Sequence, residues 1–479
     1  MNYKMIFNTL GKVFKIEAGL LAFPIIVSLC YSEWSVATFI FISLLISLAL
    51  GFLLTILFKF ENKPMYAKEG FIIVAFAWIA ISIITALPFY LSKEIPSFLD
   101  ALFESVSGLT TTGASILAHP ENLSYGLKFL RSFTHFIGGM GVLVFVMAIV
   151  PKTADRNIHI LRAEMPGPIV DKVHPRSKST AKILYFMYIG LTALLVILLM
   201  LGGMNLFESL IHAFGTAGTG GFGIRVDSVA SYSPYIQWVL SIFMLLYGIN
   251  FNVYFLILVG KFKNAIKSKE IINYGLIFLI ATIIVALNIY TICGNIGTTI
   301  RHSVFQVSSL LTTTGFSTLD ISSWNSMAKF TLFGLMFIGG CAGSTAGGLK
   351  VFRISILFKR IRFELKRLIH PNTIEVMTFD GKKLDDETVN GITSYFSLYA
   401  MLIIFFTLLV SIDGLSFEAN LSAVVSCVNN IGPAFMEASA NYTCFSPFSK
   451  VVLMFAMLLG RLEIYPLILA LSPITWFKK

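Results

Sequence analysis

Apolar residues fill this chain in ten long stretches, at about 17–32, 36–58, 70–92, 130–151, 181–203, 235–260, 271–293, 328–358, 391–412 and 449–474. A helix of roughly 20 apolar residues crosses the hydrocarbon layer of a bilayer, so each stretch predicts a span. Four shorter apolar runs, at about 99–115, 205–223, 301–317 and 418–434, lie between pairs of spans, and glycine falls at or near the end of each. They suit half-helices that enter the membrane and turn back. The resulting order, span then re-entrant segment then span, is written four times. The first two spans stand outside it and read as a hairpin closed by the turn at Ser32-Glu33. The pattern therefore predicts an all-α polytopic membrane protein with four membrane–pore–membrane repeats around a pseudo-fourfold ion pore, plus an N-terminal two-helix hairpin. The predicted boundaries are 1–60 for the hairpin and 61–155, 156–262, 263–375 and 376–479 for the repeats.

The short runs share an ending. Thr110-Thr111-Thr112-Gly113 recurs as Thr312-Thr313-Thr314-Gly315, with looser relatives at Thr219-Gly220-Gly221 and Asn430-Ile431-Gly432. The second copy lies in Gly215-Thr216-Ala217-Gly218-Thr219-Gly220-Gly221, where Gly218 offers another register. Non-helical backbone at membrane depth is tolerated where protein buries it or where it lines a water-filled cavity. Glycine takes φ > 0 without steric cost, so it can turn carbonyls inward. Four such segments form a ring of carbonyls able to replace the hydration shell of a monovalent cation. The candidate ion-binding residues are Thr111, Thr112, Gly113, Thr219, Gly220, Gly221, Thr313, Thr314, Gly315, Asn430, Ile431 and Gly432. The half-helices would point their C-termini, each worth about half a negative charge, at the same place.

Composition agrees with membrane residence: 56% of the 479 residues are hydrophobic and only 13% are charged, against about 25% in soluble domains. Lys12, Lys15 and Glu17 interrupt the segment from Met5 to Cys30, so it does not read as a cleavable signal. The five cysteines are scattered and fit no disulfide or metal framework. A net charge of +11 could suggest nucleic acid. Most of the basic residues, however, fall in alternate loops, at 1–15, 59–69, 152–180, 261–270, 350–390 and 478–479. That is the positive-inside signature; it explains the charge without nucleic acid and places both termini in the cytoplasm.

Several residues stand apart from the repeats. Gly339-Gly340-Cys341-Ala342-Gly343-Ser344-Thr345-Ala346-Gly347-Gly348 breaks the second span of the third repeat. So many small residues hold a helix poorly. The stretch reads either as close helix packing or as an unwound segment lining the path. A phosphate-binding loop needs a preceding strand, which the flanking span does not offer. Arg461 is read as the only arginine deep in a span. A charge there costs at least ~2.5 kcal/mol on the insertion scale. It either pairs with another helix or faces the cavity and repels cations; Glu463, two residues on, lies on another face. Glu104 and Glu208 are taken as matching residues of the first two half-helices, each a buried brace or an external cation attractor. His212 reads as a packing residue, and Arg301 and Lys329 as interfacial. The polar loop at 350–390 is read as a membrane-surface helix or a docking surface for a cytosolic protein.

Taken in order, these motifs resemble the Trk/Ktr/HKT superfamily of potassium transporters, in particular its bacterial TrkH-type branch. The carrying residues are Thr110 to Gly113, Gly138-Gly139-Met140-Gly141, Gly220-Gly221-Phe222, Thr312 to Phe316, Asn429-Asn430-Ile431-Gly432-Pro433, the run ending Gly347-Gly348-Leu349-Lys350, and Gly460-Arg461-Leu462-Glu463. The resemblance spans essentially the whole chain, N-terminal hairpin included. It implies filter glycines at Gly113, Gly221, Gly315 and Gly432, with Gly113 in place of serine leaning toward potassium. It implies a gate made by the glycine-rich loop, with Gly343, Ser344, Thr345, Ala346 and Gly347 at its centre, together with Arg461. It further implies a homodimer in the bacterial cytoplasmic membrane, served by a cytosolic TrkA-type nucleotide-binding regulatory subunit. Potassium is then the transported ion, and the chain itself needs no cofactor.

Other classes fit less well. A sodium or poorly selective pathway shares the fold and differs only in the ion. An alternating-access symporter for a larger solute calls for titratable groups at the midplane, where this sequence places threonine and glycine. A membrane enzyme calls for a His/Asp/Glu cluster or a nucleophile with its base, and the sequence offers neither.

Overall fold

Capping residues set the element boundaries. In the computed structural model, residues 1–59, 67–149, 177–262, 267–371, 377–380 and 382–476 are described. Four short helices begin on a side-chain cap: α4 (Phe98–Leu109) on Ser97, α7 (Leu206–Ala217) on Asn205, α11 (Ile296–Leu311) on Asn295 and α15 (Phe417–Asn429) on Ser416. Each cap oxygen accepts a backbone N–H of the first turn, which satisfies one orphan donor. The longer helices are α1 (Tyr3–Cys30), α2 (Trp34–Leu57), α3 (Ala67–Leu91), α5 (Tyr125–Ile149), α6 (Ser177–Leu201), α10 (Lys269–Cys293) and α14 (Asp386–Val410). Six helices among the described residues are long and apolar enough to cross a membrane, or seven if one bent pair counts as a single span.

Helix α1 begins at Tyr3, well before the expected start near residue 17. Lys12 and Lys15 sit inside it. Lys15 Nζ donates to Thr55 Oγ1 at 2.8 Å and lies 4.0 Å from the Phe52 ring centroid, so the stem packs while the charge finds a partner. Gly11 and Gly51 let α1 and α2 approach closely; a Cβ on Gly11 would stand 2.9 Å from the Gly51 carbonyl oxygen. Glu17, buried, accepts from Ser47 at 3.1 Å and Thr85 at 3.2 Å, which ties the hairpin to α3.

Two spans expected to be continuous are broken. The stretch at 235–260 is α8 (Pro234–Tyr247) and α9 (Phe251–Leu258), bent by 89°. Gly248 ends α8, and the Asn250 side chain caps α9 by accepting from Asn252 N. The stretch at 449–474 is α16 (Pro447–Arg461), then α17 (Tyr465–Leu471) and α18 (Pro473–Trp476). Glu463 and Ile464 between them both have positive φ, at 56° and 62°. The third break was expected: α12 (Ser326–Ile338) stops at the glycine-rich loop, and α13 (Val351–Ile369) resumes after it. A two-stranded hairpin, β1 (Thr378–Phe379) with β2 (Lys382–Lys383), follows α13. Most of the basic segments at 59–69 and 152–180, and the boundaries expected at 60/61, 155/156 and 375/376, lie outside the described residues.

Candidate functional site

The C-termini of the four short helices carry the same backbone geometry. Beyond α4, Thr111 N–H donates to Gly108 O at 3.1 Å and Thr112 N–H to Ser107 O at 2.9 Å. The same pair of bonds, three and five residues back, recurs at Thr219/Gly220, Thr313/Thr314 and Asn430/Ile431. This is a Schellman cap, whose turning residue is left-handed and usually glycine. Here it is Thr111 (φ 55°), Thr219 (54°), Thr313 (54°) or Asn430 (54°). A β-branched residue held there is an outlier costing on the order of 1–3 kcal/mol, and such strain collects at functional sites. Two residues later comes a second left-handed residue: Gly113 (φ 80°), Gly221 (74°), Gly315 (86°) or Gly432 (102°). At the second copy Gly218 is the right-handed cap of α7 at φ −74°, and Gly221 takes the left-handed position.

These glycines meet one another. A Cβ on Gly113 would strike the Gly220 carbonyl, one on Gly221 the Thr314 carbonyl, one on Gly315 the Ile431 carbonyl, and one on Gly432 the Thr112 carbonyl, at 2.6 Å. The contacts run from first segment to second, third, fourth and back to the first, so the ring is closed. The threonine hydroxyls brace it. Thr110 bonds Thr112, and Thr312 bonds Thr314, each at 2.8 Å. Asn430 Nδ2 donates to Thr112 Oγ1 at 2.9 Å and to Met457 O at 2.9 Å, stitching the fourth segment to the first and to α16. His135 lies behind the first and second segments: Nδ1 bonds Gly108 O at 2.7 Å, and Nε2 accepts from Phe222 N at 3.3 Å. On α5, Gly138 and Gly139 allow close packing, since Cβ atoms there would strike Leu109 O and stand 2.7 Å from Gly218 Cα.

The glycine-rich loop docks at the helix ends behind this ring. Gly347 N–H donates to Thr313 Oγ1 at 2.6 Å. The bend at 248–250 receives the loop's other side: Cys341 N–H donates to Gly248 O at 2.8 Å, and Phe251 N–H to Gly343 O at 3.1 Å. Gly339 (φ 74°) and Gly348 (φ 78°) pack face to face at its neck, where a Cβ on either would collide with the other's backbone. Arg461, partly buried, spans loop and α5, donating to Thr345 O at 3.1 Å and Gly138 O at 2.5 Å. Ser344, which donates to Cys341 O at 2.6 Å, and Ala346, whose carbonyl accepts from Lys350 Nζ, complete the loop's internal bonds.

Several charged residues sit differently from the expectation. Arg461, partly buried, is not alone: Arg131 and Arg353 are buried more deeply. Arg131 Nε lies 2.5 Å from Glu104 Oε1, and its NH1 donates to Gly223 O at 3.0 Å. Glu104 also accepts from Ser115 Oγ at 2.9 Å and Ile116 N at 3.0 Å, so the pair braces the outlets of the first two segments. Glu208 does not match Glu104: it is in the first turn of its helix, partly exposed, and 3.7 Å from Arg225. Glu463 pairs with Arg353 at 2.7 Å, and the Arg353 guanidinium lies 4.1 Å from the Tyr395 ring centroid. His212 packs against Tyr232 and Phe316 while Nδ1 bonds Glu208 O at 2.8 Å. A cavity of about 940 Å³ opens beside the residues that follow the glycines, with Asp227, Asp320 and Glu418 against the single Lys329. Arg301 bonds its neighbour His302 at 3.4 Å. Replacing Arg131 with Met should leave the buried Glu104 without its counter-charge, lowering stability by about 3–5 kcal/mol. Thermal unfolding of the detergent-solubilised protein measures this, and the double variant R131M/E104M should recover part of the loss.

The family model described as "TrkH: Cation transport protein" matches residues 37–475. The chain is 34% identical over 486 residues to "Trk system potassium uptake protein TrkH" of Escherichia coli (strain K12), covering 99% of this chain and 100% of that one. It is 35% identical over 483 residues to the protein of the same description from Salmonella typhimurium, covering 99% and 100%. Among solved structures, the crystal structure of the potassium transporter TrkH from Vibrio parahaemolyticus superposes with a TM-score of 0.90 at 29% identity, covering all of both chains.

Proposed function

The chain belongs to the TrkH family of cation transport proteins, and from that premise we propose that it is a potassium uptake pore of the bacterial cytoplasmic membrane. The observation that carries this reading is the closed ring of Gly113, Gly221, Gly315 and Gly432 against carbonyls of the adjoining segments. In each segment two successive N–H groups are spent on the helix behind it, so its own carbonyls stand outside the helix ladder and can turn toward an ion; the Gly432 carbonyl also accepts from the Tyr442 hydroxyl at 2.8 Å. Four helix C-termini behind the ring favour a cation over an anion. The ion ligands are backbone oxygens of the segments 111–113, 219–221, 313–315 and 430–432. Four membrane–pore–membrane repeats supply them, bounded at 61–155, 156–262, 263–375 and 376–479.

The loop at 339–348 is the gate. Its Gly347 N–H occupies Thr313 Oγ1 at the end of the third helix, and Arg461 holds Thr345 while placing a positive charge on the ion's route. A cation meets that charge in a low-dielectric setting, where repulsion is strong. The chain works as a homodimer with both termini cytoplasmic. A cytosolic TrkA-type nucleotide-binding subunit regulates it, since the relatives are named as parts of a Trk system. Potassium-loaded proteoliposomes test the assignment: the protein should drive uptake of tracer rubidium that external potassium blocks and external sodium does not. Equal block by sodium would sink the potassium assignment.

A further inference from the structure

The loop's first half is held by a side chain that neither the repeat pattern nor the gate reading uses. Glu270, in the first turn of α10, is 2% exposed. Its Oε1 accepts the backbone N–H of Ala342 at 2.6 Å. It is thus a buried carboxylate set on the peptide of the loop itself. The start of α10 is in turn held by the β1–β2 hairpin. Asp380, at the tip of the hairpin with φ 49°, accepts from Ser268 Oγ at 2.9 Å and from Lys269 N at 2.6 Å. A carboxylate at a helix N-terminus is favoured by the helix dipole, which strengthens this clamp. A second arm of the hairpin reaches the loop's far end. Phe379 packs edge-to-face on Phe352 at 4.8 Å, and Lys359 Nζ donates to Thr378 O at 2.8 Å. Ala342, Phe352, Ile356, Phe379 and Leu384 belong to one apolar cluster. The hairpin therefore grips both flanks of the loop, one through Asp380 and Glu270 and the other through Phe379 and Phe352.

We propose that Glu270 is a positioning residue of the gate, holding the loop at Ala342, and that the β1–β2 hairpin is the handle through which a displacement outside the membrane reaches the loop. This rests on the reading of 339–348 as the gate. It adds where the gate is held and how it is reached. Removing this acceptor leaves the buried Ala342 N–H without its partner, so the loop should loosen measurably.

The test is potassium flux through the purified full-length protein in proteoliposomes. Glu270→Ala should raise basal flux by about tenfold, with the potassium-to-sodium preference unchanged. Glu270→Gln should stay close to wild type, because the amide oxygen still accepts from Ala342. Asp380→Asn should give a smaller rise. A gain of flux is a readout that misfolding does not produce. A second readout uses Cys341, beside Ala342 and fully buried. With the other four cysteines replaced by serine, a water-soluble maleimide should label Cys341 faster in the Glu270→Ala and Asp380→Asn backgrounds than in the parent. Unchanged flux and labelling in Glu270→Ala would overturn the proposal, as would Gln and Ala variants that behave alike. Deleting 343–347 separates the two readings: if deletion raises flux and Glu270→Ala does not, the gate stands and this inference fails. If deletion leaves flux unchanged, the gate reading fails.

Discussion

Serine in place of Gly113 is expected to cut the preference for potassium over sodium by about tenfold or more, while the protein still reaches the membrane. Two costs meet at this position. The backbone holds φ at 80°, a conformation that L side chains adopt at a cost of roughly 1–2 kcal/mol. The new Cβ would also strike the carbonyl of Gly220 in the adjoining segment. Neither the helix behind Gly113 nor its Schellman bonds can move freely, since Thr112 is bonded to Thr110 and Asn430. The strain is therefore relieved by displacing the Gly220 carbonyl, one of the oxygens proposed to face the ion. Selectivity is a difference between two solvation energies, and a shift of about 1.4 kcal/mol in that difference is a factor of ten. Gly221, Gly315 and Gly432 stand in the same relation to the next segment, so Ala or Ser at each should act in the same direction. Bi-ionic permeability ratios of the variants measure the effect. An unchanged ratio in Gly113→Ser would show that the ring does not discriminate between ions.

Deletion of Gly343 to Gly347 should raise potassium flux on the order of a hundredfold with the preference for potassium retained. The size follows from what holds the loop in place. The deletion removes Gly347 N–H to Thr313, Phe251 N–H to Gly343, and Arg461 to Thr345. Each such bond contributes about 1 kcal/mol net, and together they bias the loop toward its docked position. Selectivity should survive because none of the four ring glycines is touched. Arg461→Ala should give a smaller rise, removing one tether and the charge together. Arg461→Lys should not restore the wild-type level, since a single ammonium reaches two carbonyls on separate elements less well than a forked guanidinium. Single-channel recording checks both variants. Abolished flux in a folded deletion protein would remove the gate assignment.

The parts that repeat were the parts legible in the sequence. Gly113, Gly221, Gly315 and Gly432 return behind apolar runs of similar length, and that recurrence marked the backbone segments that converge. The loop at 339–348 was legible because so many small residues cannot sustain a helix. The two other breaks were not. The bend at 248–250 rests on one glycine and a capping asparagine, a weak local signal inside a strongly apolar stretch, and its significance is the loop that lands on it. The break at Glu463–Ile464 has no glycine at all; buried contacts hold two residues at positive φ there. The charged pairs were least visible. Arg131 with Glu104, and Arg353 with Glu463, join residues far apart in the chain, so no periodicity links them. Glu104 and Glu208 looked equivalent because both precede a glycine segment, yet one sits in the first turn of its helix and the other a turn deeper. Only packing distinguishes a brace from a surface carboxylate.

The central claim is that four glycine segments form one potassium-selective ring, and a reversal potential tests it most directly. The wild-type protein is placed in a planar bilayer with potassium on one side and sodium on the other, and the voltage of zero current is read. The account predicts a value close to the potassium equilibrium potential. A value near zero would mean a path that does not distinguish the two ions, and a value near the sodium potential would reverse the assignment; either result contradicts the account.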